Sequence, residues 1–158
     1  MLRDSGGINP ENIVENVIYT GAFLPEEERM KLLSKVSPFY GNDENPGKVI
    51  AHHVTLAFKP IDGIKKSDIG KIIPLKITGY VIDKKIGAQA ALVELPEDIV
   101  SKPNTHITIS VAEGVPPVKS NDVITSNERE MVSFEEPLIL HAPLGYFDGE
   151  SKKVITSL

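Results

Sequence analysis

The chain has 158 residues, and Lys and Arg (17) are outnumbered by Asp and Glu (22), which gives a formal charge of −5. Its hydrophobic content of 41% and charged content of 25% are those of an ordinary globular domain, and one domain with its own core is expected at this length. The absence of cysteine excludes disulfides, thiolate catalysis and Cys-based metal sites, the acidic balance argues against gripping long duplex nucleic acid by bulk charge, and no apolar run has the length of a membrane helix.

Taken in chain order, Met1 to Pro10 reads as a loose segment, and Met1 to Glu15 is polar and lacks the apolar centre of a signal peptide, so a cytoplasmic protein is expected. Asn16 to Leu24 is rich in β-formers and reads as a strand. Pro25 followed by Glu26, Glu27 and Glu28 starts a helix, because proline suits the first turn and acids suit the positive end of the dipole. Met30, Leu33 and Val36 form its apolar stripe, and Pro38 ends it. Tyr40 to Lys48 has loop composition, Val49 to Phe58 reads as one strand, and Pro60 to Gly63 as a turn. Lys65 to Ile72 is expected to hold a short helix. Pro74–Asp83 and Gly87–Leu95 read as paired strands, with Lys84 and Lys85 near their turn. Pro96 to Asn104 is a short helix or a loop, and Thr105 to Ala112 is a strand broken by Gly114-Val115-Pro116-Pro117. Val132–Phe134, Leu138–His141 and Tyr146–Phe147 are late strand pieces. Strands dominate without helix–strand alternation, so the fold class is α+β with mainly antiparallel pairing.

One short word occurs twice. His53-Val54-Thr55-Leu56 and His106-Ile107-Thr108-Ile109 both lie in predicted strands and use two of the four histidines. Side chains of a strand alternate, so i and i+2 share a face about 7 Å apart. His53 therefore sits beside Thr55, and His106 beside Thr108, while Val54, Leu56, Ile107 and Ile109 face the core. Composition puts two such words among four histidines at roughly a few in a thousand, and strand alternation raises that about threefold. Two imidazoles and two hydroxyls facing one space suit a phosphodiester. Hydroxyls bond its non-bridging oxygens, a neutral histidine takes a proton, and a protonated one gives a proton to the leaving oxygen. No metal or other cofactor is required. The plain alternative is that both histidines are ordinary half-exposed strand residues.

The paired words resemble the signature of the 2H phosphoesterases. The stretch Lys119-Ser120-Asn121-Asp122 after the second word resembles the branch formed by the cyclic phosphodiesterase domains of tRNA ligases. The resemblance covers Ala51 to Lys59 and Thr105 to Ile124. It implies a bilobal fold in which two antiparallel sheets, related by a rough two-fold axis, each supply one word to a central cleft. It also implies metal-independent hydrolysis of a nucleoside or RNA-terminal 2′,3′-cyclic phosphate, a reaction of RNA processing and repair. Carried over by position, His53 and His106 are the acid/base pair, and Thr55 and Thr108 hold the phosphate.

Around this core, Phe58 either stacks on a nucleobase or packs in the interior, and Tyr40 is favoured over Tyr19 as a stacking residue. Lys119 is a candidate phosphate ligand, and Ser120 and Asn121 either donate to the ligand or cap a turn. His52 is expected to point away from His53 and to be structural, because neighbours in a strand face opposite sides. His141 reads as a core or edge histidine. The expected partner is a small nucleotide or an RNA 3′ end, acted on by a monomer, with no membrane partner. Other readings are a binding module that holds a nucleotide or RNA end without turnover, an enzyme for another phosphodiester such as a cyclic oligonucleotide, and a strand-rich interaction domain.

Overall fold

The computed structural model describes residues 13–58 and 64–158. The expectations for Met1–Pro10 and for the Pro60–Gly63 turn fall outside the described residues.

The elements in order are β1 (Ile13–Val14), β2 (Val17–Phe23), α1 (Glu26–Lys35), β3 (Gly47–Val49), β4 (His53–Phe58), β5 (Ile64–Lys65), β6 (Ile72–Asp83), β7 (Ala88–Glu94), β8 (His106–Ala112), α2 (Ser120–Ile124), β9 (Glu130–Asp148) and β10 (Val154–Ile155). Single turns of 3₁₀ helix cover Lys66–Asp68 and Pro117–Lys119. The expected α+β class with antiparallel pairing holds, since every strand pair recorded is antiparallel. The arrangement of the sheet differs from expectation. Instead of two sheets in two lobes, the pairing runs β9-β2-β4-β8-β7-β6, and β6 pairs back with β9, closing a six-stranded barrel. β10 flanks β9, and β3 lies on β8.

The alternation of apolar residues explains the closure. Val54 and Leu56 of β4, Ile107 and Ile109 of β8, Ile73, Leu75 and Ile77 of β6, and Leu140, Ala142 and Leu144 of β9 are all buried in one core. A small barrel fills its interior with such side chains. Helix α1 adds Leu32 and Val36 to this core, and its Glu28 carboxylate accepts the backbone N–H of His141 on β9 at 2.7 Å. The buried residues of α1 are thus Glu28 and Leu32, joined by the C-cap Val36 in extended backbone, with Leu33 packed against the core beside them. Met30, expected on the buried face, is 55% exposed. A second, smaller cluster joins Val81, Ala88, Ala90 and Val111 to Val123 of α2, and so seats α2 beside β6, β7 and β8.

Three local readings change. The single strand expected over Val49–Phe58 is split into β3 and β4 at Ala51, whose φ is 55°. The split alters the register. Gly47, Lys48 and Val49 oppose Ala112, Val111 and Ser110, whereas Val54 opposes Ile107. The short helix expected over Lys65–Ile72 is only one 3₁₀ turn between β5 and β6. The three late strand pieces are one 19-residue strand, β9. Pro137 and Pro143 interrupt its sequence pattern but are accommodated, Pro143 opposite Ile72 at the start of β6 and Pro137 where the β6–β9 register shifts.

Candidate active site

β4 and β8 meet through Val54 and Ile107. These are the second residues of the two repeated words, so an antiparallel pair centred on them relates the words by a local two-fold axis. The same register sets His53 beside Thr108 and Thr55 beside His106. Val54, Leu56, Ile107 and Ile109 fill the barrel, which leaves both histidines and both threonines on its outer face. All four line one cavity of about 590 Å³, a size ordinary for a small-molecule site. Tyr19, Phe58 and Lys102 line it as well, and the segment Pro117–Asn121 contributes Pro117, Val118, Ser120 and Asn121. No Asp or Glu is among the described lining residues, so the cavity is locally cationic in an acidic chain.

His106 is fixed at both ring nitrogens. Its Nδ1 lies 2.8 Å from the carbonyl oxygen of Asn104. A carbonyl only accepts, so Nδ1 carries the hydrogen. Asn104 has a φ of 59°, a left-handed conformation that asparagine tolerates better than most residues. Nε2 lies 3.0 Å from Ser120 Oγ. Burial holds the His106 pKa below the usual imidazole range; the Asn104 bond opposes this, and the charge of Lys102 adds to it.

His53 is held differently. Tyr19 stacks on its ring, with centroids 5.1 Å apart and 20° between planes, and Phe23 lies tilted at 5.4 Å. Burial, followed by the neighbouring charges of His52 and His106, pushes its pKa down to about 4. His53 is thus strongly biased towards the neutral form, and it feels the charge of His106.

The structure brings together His53, Thr55, His106, Thr108 and Phe58, which is 63% exposed at the rim. Two other expected residues stand apart. Tyr40 is buried, packs edge-on against Phe39 at 4.9 Å, and gives its backbone N–H to Ser110 Oγ, so it does not reach the cavity. Tyr19 takes the aromatic position instead. Lys119 is exposed, pairs with Asp122 at 3.8 Å, and is not a lining residue. The lining cation is Lys102, whose Nζ lies 3.4 Å from Asn121 Oδ1. Its backbone N–H donates to Leu56 O at 2.7 Å, which ties its loop to β4. The sequence marks Lys102 only as a loop lysine four residues before His106. His52 is exposed, and the His141 side chain is 59% exposed beside Glu28.

The chain matches no family model and none of the curated proteins.

Proposed function

We propose that the chain is a metal-independent phosphodiesterase that opens a nucleoside or RNA-terminal 2′,3′-cyclic phosphate by two-histidine acid/base catalysis. The observation that carries this reading is the Val54–Ile107 register, which turns two copies of one word into a two-fold-related set of two imidazoles and two hydroxyls around one cavity. The local two-fold and the resemblance to 2H phosphoesterases point the same way, although here the two word-bearing strands are neighbours in one closed barrel.

The two environments support a division of roles. His53, with the more strongly depressed pKa, is the base. It takes a proton from water as the water oxygen bonds to phosphorus. His106, whose protonated form is supported by the Asn104 carbonyl, is the acid. The bond from phosphorus to one ribose oxygen breaks, the electron pair leaves on that oxygen, and His106 Nε2 protonates it. Thr55 and Thr108 hold the non-bridging oxygens as charge develops. Lys102 offsets the phosphate charge, and Phe58 at the rim offers a face for a base.

The test is incubation with 2′,3′-cyclic AMP and excess chelator, resolving 2′-AMP from 3′-AMP, beside the His106→Ala variant. A single monophosphate that disappears in the variant is expected. Unchanged turnover in the variant overturns the reading. Thermal protection by the nucleotide without product replaces catalysis with binding.

A further inference from the structure

Ser120 is 1% exposed and its hydroxyl has one proton, yet it meets three polar atoms. Oγ lies 3.0 Å from His106 Nε2, 2.6 Å from Thr108 Oγ1 and 2.9 Å from the Pro117 carbonyl. Ser120 is held there by the 3₁₀ turn and α2, and its own N–H also bonds Pro117 O. The two-fold that relates the words is broken here, because among the described residues no hydrogen bond holds the ring of His53.

Proton accounting allows two complete arrangements. When His106 is charged, Nδ1–H goes to Asn104, Nε2–H goes to Ser120 Oγ, and the Ser120 proton goes to Pro117. When His106 is neutral, Nδ1–H stays on Asn104, and Ser120 turns its proton to the bare Nε2. Thr108 donates to Ser120 in both when no ligand is bound, and turns its proton to a non-bridging oxygen when a phosphodiester binds. Rotation of one hydroxyl therefore satisfies every group in either state.

We propose that Ser120 is the positioning residue that makes His106 the proton donor, holding its ring in one orientation in both of its protonation states. Nε2 gives up its bond to Ser120 when the leaving oxygen arrives, transfers its proton, and as a neutral acceptor takes the Ser120 hydroxyl proton in hydrogen bond. The proposal rests on the phosphodiesterase reading for its catalytic sense, but its geometry is testable without substrate. The titratable groups that face His106 are His53 from β4 and Lys102 from the loop before β8.

The experiment has two readouts. Imidazole ¹⁵N and ¹³C–H shifts of the wild-type protein are followed with pH, and the neutral form of His106 is expected to carry its hydrogen on Nδ1. In Ser120→Ala the His106 midpoint is expected to fall by about 0.5–1 pH unit, because the bond to the charged ring is the stronger of the two lost. With 2′,3′-cyclic AMP, kcat is expected to fall about tenfold or more with KM nearly constant, and Ser120→Thr to recover part of it. A neutral His106 with its hydrogen on Nε2 overturns the proposal in the wild-type protein alone. An unchanged midpoint with only a lowered melting temperature reduces Ser120 to a turn cap. Tighter binding of inorganic phosphate with higher kcat/KM in Ser120→Ala makes its hydroxyl an internal competitor and also overturns it. If the wild type turns over no cyclic nucleotide, the failure falls on the functional reading, and the titration still decides the role of Ser120.

Discussion

His53 and His106 are the same residue type in the same word, yet their surroundings separate them. His53 packs against the rings of Tyr19 and Phe23 and its pKa is pushed down to about 4, whereas that of His106 is lowered but the ring is bonded at both nitrogens. The proposed reaction needs His53 neutral and His106 protonated. Activity is therefore lost below about pH 4 as His53 gains a proton, and lost on the alkaline side as His106 loses one. Because both pKa values lie below 6.5 in the free protein, kcat/KM for 2′,3′-cyclic AMP should be bell-shaped with its maximum on the acid side of 6.5. A maximum above pH 7 would contradict this assignment. His53→Ala or His106→Ala should each lower kcat by about 10²–10⁴-fold. The same shift bears on stability. The unfolded chain protonates His53 near 6.5 and the folded chain near 4, so between these values the unfolded state binds more protons. Stability is full above pH 6.5 and falls as pH drops towards 4. Melting temperatures of His53→Gln over that window should fall less steeply than those of the wild type.

At the scale of elements, the strands that carry the words were legible from alternation alone, and so was the outward placement of His53, Thr55, His106 and Thr108. Alternation fixes which face a side chain takes, but not what lies above that face. The residues that complete the site come from irregular pieces. Lys102 arrives because its loop bonds Leu56, and Ser120 arrives because Val123 anchors α2 in the second cluster. Neither link has a periodic signature. Tyr40 and Lys119 were misplaced for the same reason, since loop composition carries no direction. Of the α1 stripe, Val36 is buried and Leu33 packs on the core as expected, but Met30 is exposed, and Glu28, a charged residue, occupies a buried position instead. Its carboxylate is held below the usual range first by Lys31, at 2.8 Å, and then by the His141 N–H. Glu28→Ala should orphan that N–H against β9 and lower stability by about 1–3 kcal/mol. Amide exchange at His141 should accelerate in this variant. Turnover per folded molecule should stay unchanged, because α1 contributes nothing to the cavity lining.

At the scale of the whole molecule, ring order sets what the barrel asks of each seam. Along β9-β2-β4-β8-β7-β6 the β4–β8 contact, where the two words meet, lies opposite the β6–β9 contact that closes the ring. The site seam is narrow, with Val54–Ile107 as its one recorded strand pair, whereas the closing seam runs from Ile72–Pro143 to Ile82–Glu130. Closure there holds β4 and β8 in one curved sheet and keeps the outer face open to ligand. Gly79 marks the tight point of that seam. A Cβ at this position would meet Val132 O at 2.2 Å and Ser133 Cα at 3.1 Å, both backbone atoms that cannot swing aside. Its φ is not in the left-handed region, so the requirement for glycine is close approach of two strands and not backbone freedom. Gly79→Ala should therefore force β6 from β9 at the register shift and destabilise the fold by about 1–3 kcal/mol. Amide exchange at Tyr80 and Val132 should quicken before that at Val54 and Ile107. Because the strain enters on the far side of the ring, the KM for a cyclic nucleotide should hold at temperatures where the variant stays folded. A rise in KM that precedes loss of structure would instead mean that the two seams move together, and that the barrel transmits a change at its closure to the histidines.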